Sequence, residues 1–326
     1  RRQQAGVEEK KAVKDVMREL FGTRGINDDD DSIMQSFQGY GEDLFNELEK
    51  MELLGSDGRL PGMKTVRQGK GLLRGTIQIQ SPSEFFQKVY SNRDTFFEFA
   101  KAYEPVKAFY AGQQVSIFKD ALKLIDIYDD SKTFIVDPQV EGTANRIQAI
   151  LLKDAPYGDI HQLPGLTNQF KEAYTSVLDQ MTGPVLQAVE AAQDRVFEVL
   201  DTKPYREELR GSYLKQFADV REKARTCNNV SVLQSVKLEV DTLKVRLLNE
   251  MAAKDVEVTD APGAYVGGDG DPKPAVKKQR NISIKSVCLA SSWRIERVED
   301  LDRYIQELKD QIKKELDEDT IINIEF

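Results

Sequence analysis

The stretch Leu233 to Met251, LQSVKLEVDTLKVRLLNEM, decides how the chain folds. Its apolar residues Leu233, Val236, Val240, Leu243, Leu247 and Met251 recur at steps of three and four. That spacing puts one continuous stripe on one face of an α-helix. Immediately before it, Tyr205, Leu209, Tyr213, Phe217, Val220 and Ala224 mark a second stripe. The breakers Gly183-Pro184, Lys203-Pro204 and Asn228-Asn229 divide Leu166 to Ala253 into four amphipathic segments. Connections this short set consecutive helices side by side and antiparallel, as a bundle or a short coiled-coil hairpin.

The same periodicity extends towards the N-terminus. Ile33, Phe37, Tyr40, Leu44, Leu48 and Met51 form a helix with Ser32 as N-cap and Gly55 as its stop. Asp28 to Asp31 lie ahead of it, where negative charge complements the helix dipole. Further helices are expected at Phe85–Tyr90 and Phe96–Tyr103, and from Pro105 through Val106, Phe109, Gln113, Ile117, Ala121 and Ile125. Thr133 to Val136 reads as a short strand, and Val140, Ala144, Ile147 and Leu151 as another helix. Residues 56–82 break the pattern: Asp57-Gly58, Pro61-Gly62, Gly69, Gly71 and Gly75 predict a flexible loop.

Residues 255–281 read as a flexible linker rich in Gly, Pro and Asp. Beyond it, Ile282 and Ile284, then Ser292-Trp293-Arg294-Ile295, suggest short strands. Val298, Leu301, Ile305, Leu308, Ile312 and Leu316 give a helical stripe, and Ile321, Ile322, Ile324 and Phe326 a terminal strand. The fold class is therefore mainly α, with a small α/β module at the end. The expected divisions are a helical region over 1–165, a helical bundle or hairpins over 166–254, the linker, and the module over 282–326.

Composition narrows the function. A length of 326 residues predicts roughly two domains, and 40% hydrophobic with 31% charged residues is enough to bury a sizeable core. A net charge of −9 disfavours a protein coated in nucleic acid or pressed onto an anionic membrane. No apolar run is long enough to span a bilayer. Cys227 and Cys288 are far apart and read as reduced thiols of a cytoplasmic protein.

Catalytic patterns are missing. His161 is the sole histidine and has no partnered Ser or Cys motif. One histidine and two distant cysteines supply no zinc set, and Asp269-Gly270-Asp271 lacks the final Glu of a calcium loop. Gly69-Lys70 is followed by Gly71, so no phosphate-binding loop is present. We expect no catalytic residues, no metal and no cofactor in this segment. Two basic patches stand against the acidic background. Arg59, Lys64, Arg67, Lys70 and Arg74 lie in a stretch without acids, where they could contact phosphates or pair with the protein's own acids. Lys273, Lys277, Lys278 and Arg280 form a second patch in the linker.

The segment Tyr103 to Leu166, with Phe109-Tyr110, Gln113-Gln114, Phe118, Ala121, Leu152, Pro156-Tyr157 and Leu163-Pro164, resembles the later part of the large BrxC/PglY proteins. So does the ending, with its Val298-Glu299-Asp300-Leu301-Asp302 helix start and short terminal strand. Those proteins are P-loop ATPases of the AAA+ type in bacteriophage-exclusion (BREX) systems. The resemblance implies a bacterial cytoplasmic defence protein whose ATPase core, with its ATP and Mg, lies ahead of Arg1. It implies contact with other BREX components or self-assembly for the present segment. A helical module touching DNA through the basic stretch is the alternative reading. No catalytic residue carries over, because no matching motif occurs here.

Overall fold

In the computed structural model, the residues described are 4–23, 27–260, 277–284, 295–317 and 320–325. Among them are eleven α-helices and one two-stranded sheet, the mainly α architecture that the periodicity predicts. The chain divides into two compact units, Arg1–Lys132 with Val136–Ala173, and Thr133–Ile135 with Tyr174–Phe326.

The first unit holds α1 (Val7–Phe21), α2 (Asp30–Leu54), α3 (Met63–Ile77), α4 (Pro82–Ser91), α5 (Arg93–Ala111), α6 (Gln114–Ser131) and α7 (Pro138–Leu151). A single 3-10 turn (Ile160–Gln162) leads into α8 (Leu163–Leu200), whose first residues complete the unit. One core cluster gathers Val13, Val16, Met17, Ile33, Phe37, Phe85, Phe86 and Phe96. There Phe37 meets Phe85 and Phe96 edge-on, with ring centroids 5.1 and 6.0 Å apart, the arrangement that ring quadrupoles favour. The second cluster joins Leu44, Leu48 and Met51 of α2 to Val66 and Leu73 of α3 and Phe99, Tyr103 and Val106 of α5.

The acidic run before α2 is used locally. Asp29, not Ser32, is the N-cap, accepting from the Ser32 N–H at 2.9 Å, while Asp30 pairs with Lys10 at 2.6 Å and Asp28 with Lys14. Four other expectations change. The loop over 56–82 is mostly helix α3. Its Gly69 faces inward, where an added Cβ would lie 2.3 Å from Phe99 Cζ and 2.9 Å from Leu48 Cδ1. Glycine there permits close helix packing rather than flexibility. Pro105 lies inside α5, and the break comes instead at Gly112, with Gln113 as the N-cap of α6. Residues 133–136 form a turn and an irregular lead-in to α7, not a strand; the Asp137 side chain caps α7 by accepting from the Gln139 and Val140 N–H groups. Pro184 does not divide α8, which runs unbroken for 38 residues. A proline in a helix interior costs about 3 kcal/mol, and Val177, Leu178, Val185, Val189, Val196 and Leu200, buried on both sides of it, offset that cost.

The second unit continues with α9 (Arg206–Thr226), α10 (Val230–Asp260), β1 (Lys278–Ser283), α11 (Val298–Glu315) and β2 (Thr320–Glu325). Helices α9 and α10 are antiparallel, as contacts Glu208–Lys254, Gln216–Arg246 and Lys223–Glu239 show: numbers rise along α9 as they fall along α10. The stripe from Leu233 to Met251 is buried throughout. Strands β1 and β2 pair in parallel, with Ile282 opposite Ile324, and α11 lies between them in the chain. The expected linker is narrower at both ends, since 255–260 complete α10 and 278–281 belong to β1. Its centre with Asp269–Asp271 and Lys273, the expected strand at Ser292–Arg294, Cys288 and Phe326 lie outside the described residues.

Candidate functional site

The first basic patch sits on α3 and the turn before it. Three of its five cations are already paired. Arg59 donates two hydrogen bonds to Asp126, at 2.9 and 2.8 Å. Glu52 of α2 accepts from Lys70 at 2.6 Å and from Arg67 at 3.2 Å. Those two partners, Lys70 foremost, hold the Glu52 carboxyl below the usual carboxylate range, and Arg59 does the same for Asp126. Arg74 stacks its guanidinium over the Phe45 ring at 5.5 Å, beside Lys70 at 5.3 Å. Lys64 has no ion-pair partner among the described residues. Helix geometry explains the pairing. Arg67, Lys70 and Arg74 step by three and four, so they share one face, and α2 lies against it with Glu49, Glu52 and Phe45.

A cleft of about 980 Å³ opens at the start of α3, lined by Arg59, Lys64, Val106, Asp129, Lys153 and Tyr157 among others. Gly62 forms its corner with φ +86°, and a side chain there would press on Val106 and on the Tyr157 hydroxyl. Tyr110 donates to the Pro61 carbonyl at 2.9 Å, fixing the turn. Charges of both signs line the cleft, and Lys153 is held by Asp159 and Asp129 by Lys132. His161 is exposed in the 3-10 turn, and no nucleophile among the described residues is hydrogen-bonded to it. Cys227 donates its thiol to the Asn229 carbonyl at 3.0 Å.

In the second unit the informative groups are ones the sequence did not single out. Asn249 of α10 accepts from the Asn281 backbone N–H at 2.6 Å and donates to the Asn281 carbonyl at 2.9 Å. One side-chain amide thus satisfies both backbone groups of a β1 residue. Arg195 of α8 reaches Glu325 of β2 through Nε and Nη2, at 3.4 and 3.3 Å. These two contacts anchor the sheet to the helices. Partners 32 and 130 residues apart carry no pattern that a sequence reading can detect. Of the second basic patch, Arg280 pairs with Glu315 of α11 at 2.5 Å, while Lys277 and Lys278 are exposed.

Helix α11 has no buried residue. Val298, Leu301, Ile305 and Leu316 of its apolar stripe are 71%, 41%, 51% and 53% exposed, so the module presents rather than buries this face. No helix among the described residues is long and apolar enough to cross a membrane. Residues 9–132 match the family described as the BREX ATP-binding protein BrxC alpha helical domain, and residues 192–254 the BrxC seventh domain. Residues 280–325 match the BrxC C-terminal alpha-beta domain. No solved structure matches the chain.

Proposed function

The chain belongs to the BrxC-type proteins of BREX systems, and from that premise we propose that it is a contact-making, non-catalytic region of such a protein. Its work is to dock other BREX components or further copies of itself. ATP hydrolysis with Mg belongs, in this reading, to other parts of a longer protein, and phage exclusion is the process served. The observation that carries the proposal is the terminal module. Asn249 and Arg195 fix its sheet to α10 and α8, while α11 keeps Val298, Leu301 and Ile305 of its apolar stripe exposed. Exposed apolar faces on firmly anchored elements are characteristic of interaction sites.

Size-exclusion chromatography of the purified chain, alone and mixed in turn with each purified BREX component, tests this. Co-elution with one component, or a self-associated species, is the expected result. A chain that runs as a lone monomer in every mixture would sink the proposal.

A further inference from the structure

The stripe on α11 has coiled-coil spacing. Val298, Leu301, Ile305, Leu308 and Ile312 step by three, four, three and four, which is the a/d seam of two heptads. This narrow seam differs from the broader apolar face of a helix lying on a sheet. Leu308 and Ile312 are half-buried and the other three exposed, so the seam lacks a full partner among the described residues.

The charges beside the seam say what fits it. Asp302 and Lys309 are both e positions, one heptad apart and opposite in sign. Neither has an ion-pair partner among the described residues. In an antiparallel helix pair, e residues of one helix face e residues of the other. A second copy of α11 laid antiparallel therefore brings Asp302 against its mate's Lys309, and Lys309 against its mate's Asp302. The ends agree: the first turn with Glu299 and Asp300 lies at the same end as the mate's last turn with Lys313 and Lys314, and the helix dipoles oppose. A parallel pair sets like ends side by side and loses these matches. The surface is complementary to itself, as a two-fold interface requires.

We propose that α11 is a self-association seam, pairing antiparallel with α11 of a second copy of this chain, so that BrxC-type chains join through their terminal modules. This rests on the contact-making reading above and specifies its partner at this one helix. Two heptads make a short seam, about 21 Å from Val298 to Ile312, so the pairing is of micromolar rather than nanomolar strength.

The test is sedimentation equilibrium of the whole 326-residue chain, from about 1 to about 500 μM, a range that brackets micromolar association. The wild-type mass should rise towards twice the monomer. Asp302→Lys alone, or Lys309→Asp alone, turns both symmetric attractions into repulsions and should weaken the dimer about tenfold, from pair energies of a few tenths of a kcal/mol each. The double variant Asp302→Lys/Lys309→Asp should recover wild-type association. So should a 1:1 mixture of the two single variants, since antiparallel pairing restores an attraction at both e positions. These residues are exposed, and unchanged circular dichroism and melting confirm that each variant folds. A wild-type chain that stays monomeric, single variants that dimerise as well as wild type, or a mixture that fails to recover would each overturn the proposal. Binding of other BREX components by the same charge variants is scored separately. If that binding persists while self-pairing is absent, only the seam falls, and the contact-making reading stands.

Discussion

Gly69→Ala separates a packed helix from a flexible loop in the stretch where sequence and structure differ most. The new Cβ would sit 2.3 and 2.4 Å from two ring carbons of Phe99 and 2.9 Å from Leu48 Cδ1. Carbon atoms prefer about 3.5–4.0 Å, so α3 must retreat from α5 or the ring must turn. The ring has little room, being 1% exposed and stacked on Tyr103 with centroids 5.4 Å apart. Overpacking of this kind costs about 1–3 kcal/mol. Against it stands the better helix propensity of alanine, about 1 kcal/mol. Gly71→Ala is the control, because nothing lies within 4 Å of a Cβ at that position of the same helix. The propensity gain is common to both and cancels in their difference. Gly69→Ala should therefore be about 1–3 kcal/mol less stable than Gly71→Ala, which itself should exceed wild type. For a domain of this size that is roughly 3–10 °C in melting temperature. Urea titrations of the three proteins read it directly. Equal stabilities, or a Gly71→Ala that is itself destabilised, would refute the packing argument and return the stretch to a loop.

Other outcomes follow from contacts already described. Tyr213 is buried with a hydroxyl that has no hydrogen-bond partner among the described residues, whereas the single Tyr205 O–H has two acceptors in reach, Asp255 at 2.6 Å and the Met251 carbonyl at 2.9 Å. Tyr213→Phe should leave stability unchanged or raise it, and Tyr205→Phe should lower it by about 1–2 kcal/mol; thermal melts showing the opposite order would contradict this. Burial also pushes the Tyr213 phenol up to about 12. A raised folded pKa gives stability that is complete below the unfolded value near about 10 and is lost above it. Melting temperature should therefore fall between about pH 10 and 12, less so in Tyr213→Phe. The carboxyls of Asp28, Glu52 and Asp126 are held low by Lys14, by Lys70 with Arg67, and by Arg59. Lowered pKa values give stability that is present above the ordinary carboxylate range and lost as pH falls through and below about 4; a double variant Glu52→Gln/Asp126→Asn should show a shallower acid loss, measured by melts from pH 6 down to 3. Asn249→Ala leaves the Asn281 N–H and carbonyl unpaired, at about 2 kcal/mol, so amide exchange of β1 should quicken about 30-fold; unchanged exchange would mean that the side-chain clamp holds nothing. DNA binding offers a final check on the α3 patch. With Arg59, Arg67 and Lys70 committed to acids, any affinity should be weak and little altered by Lys64→Ala with Arg67→Ala, and a steep salt dependence that these changes abolish would revive the alternative reading.

Much of the fold was legible because its cause is local. The α10 stripe, and all of the α9 stripe but the half-buried Leu209, are buried as their spacing requires, and the α/β ending follows from a period-two and a period-three-to-four pattern in succession. Where the reading failed, tertiary packing overrode local preference. Gly69 looks like a breaker until Phe99, thirty residues away, is found against it. Pro105 and Pro184 look like boundaries until the apolar residues on both sides are seen to be buried together. Of the candidate site, the five cations around α3 could be named from charge alone, but not their acids, since Asp126 lies 67 residues from Arg59. Asn249 and Arg195 left no trace in the sequence, because a single polar residue on a helix announces neither its partner nor its task.

The Asn249 clamp also sets the direction in which the sheet can grow. A backbone N–H and carbonyl left open along a strand are a template for another chain. On β1 those of Asn281 are taken by a side chain, so neither is available for a further strand. At that residue, growth of the sheet beyond β1 is blocked by one side-chain amide. One sheet edge is thus guarded at Asn281 against unintended pairing, at the point where α10 meets β1.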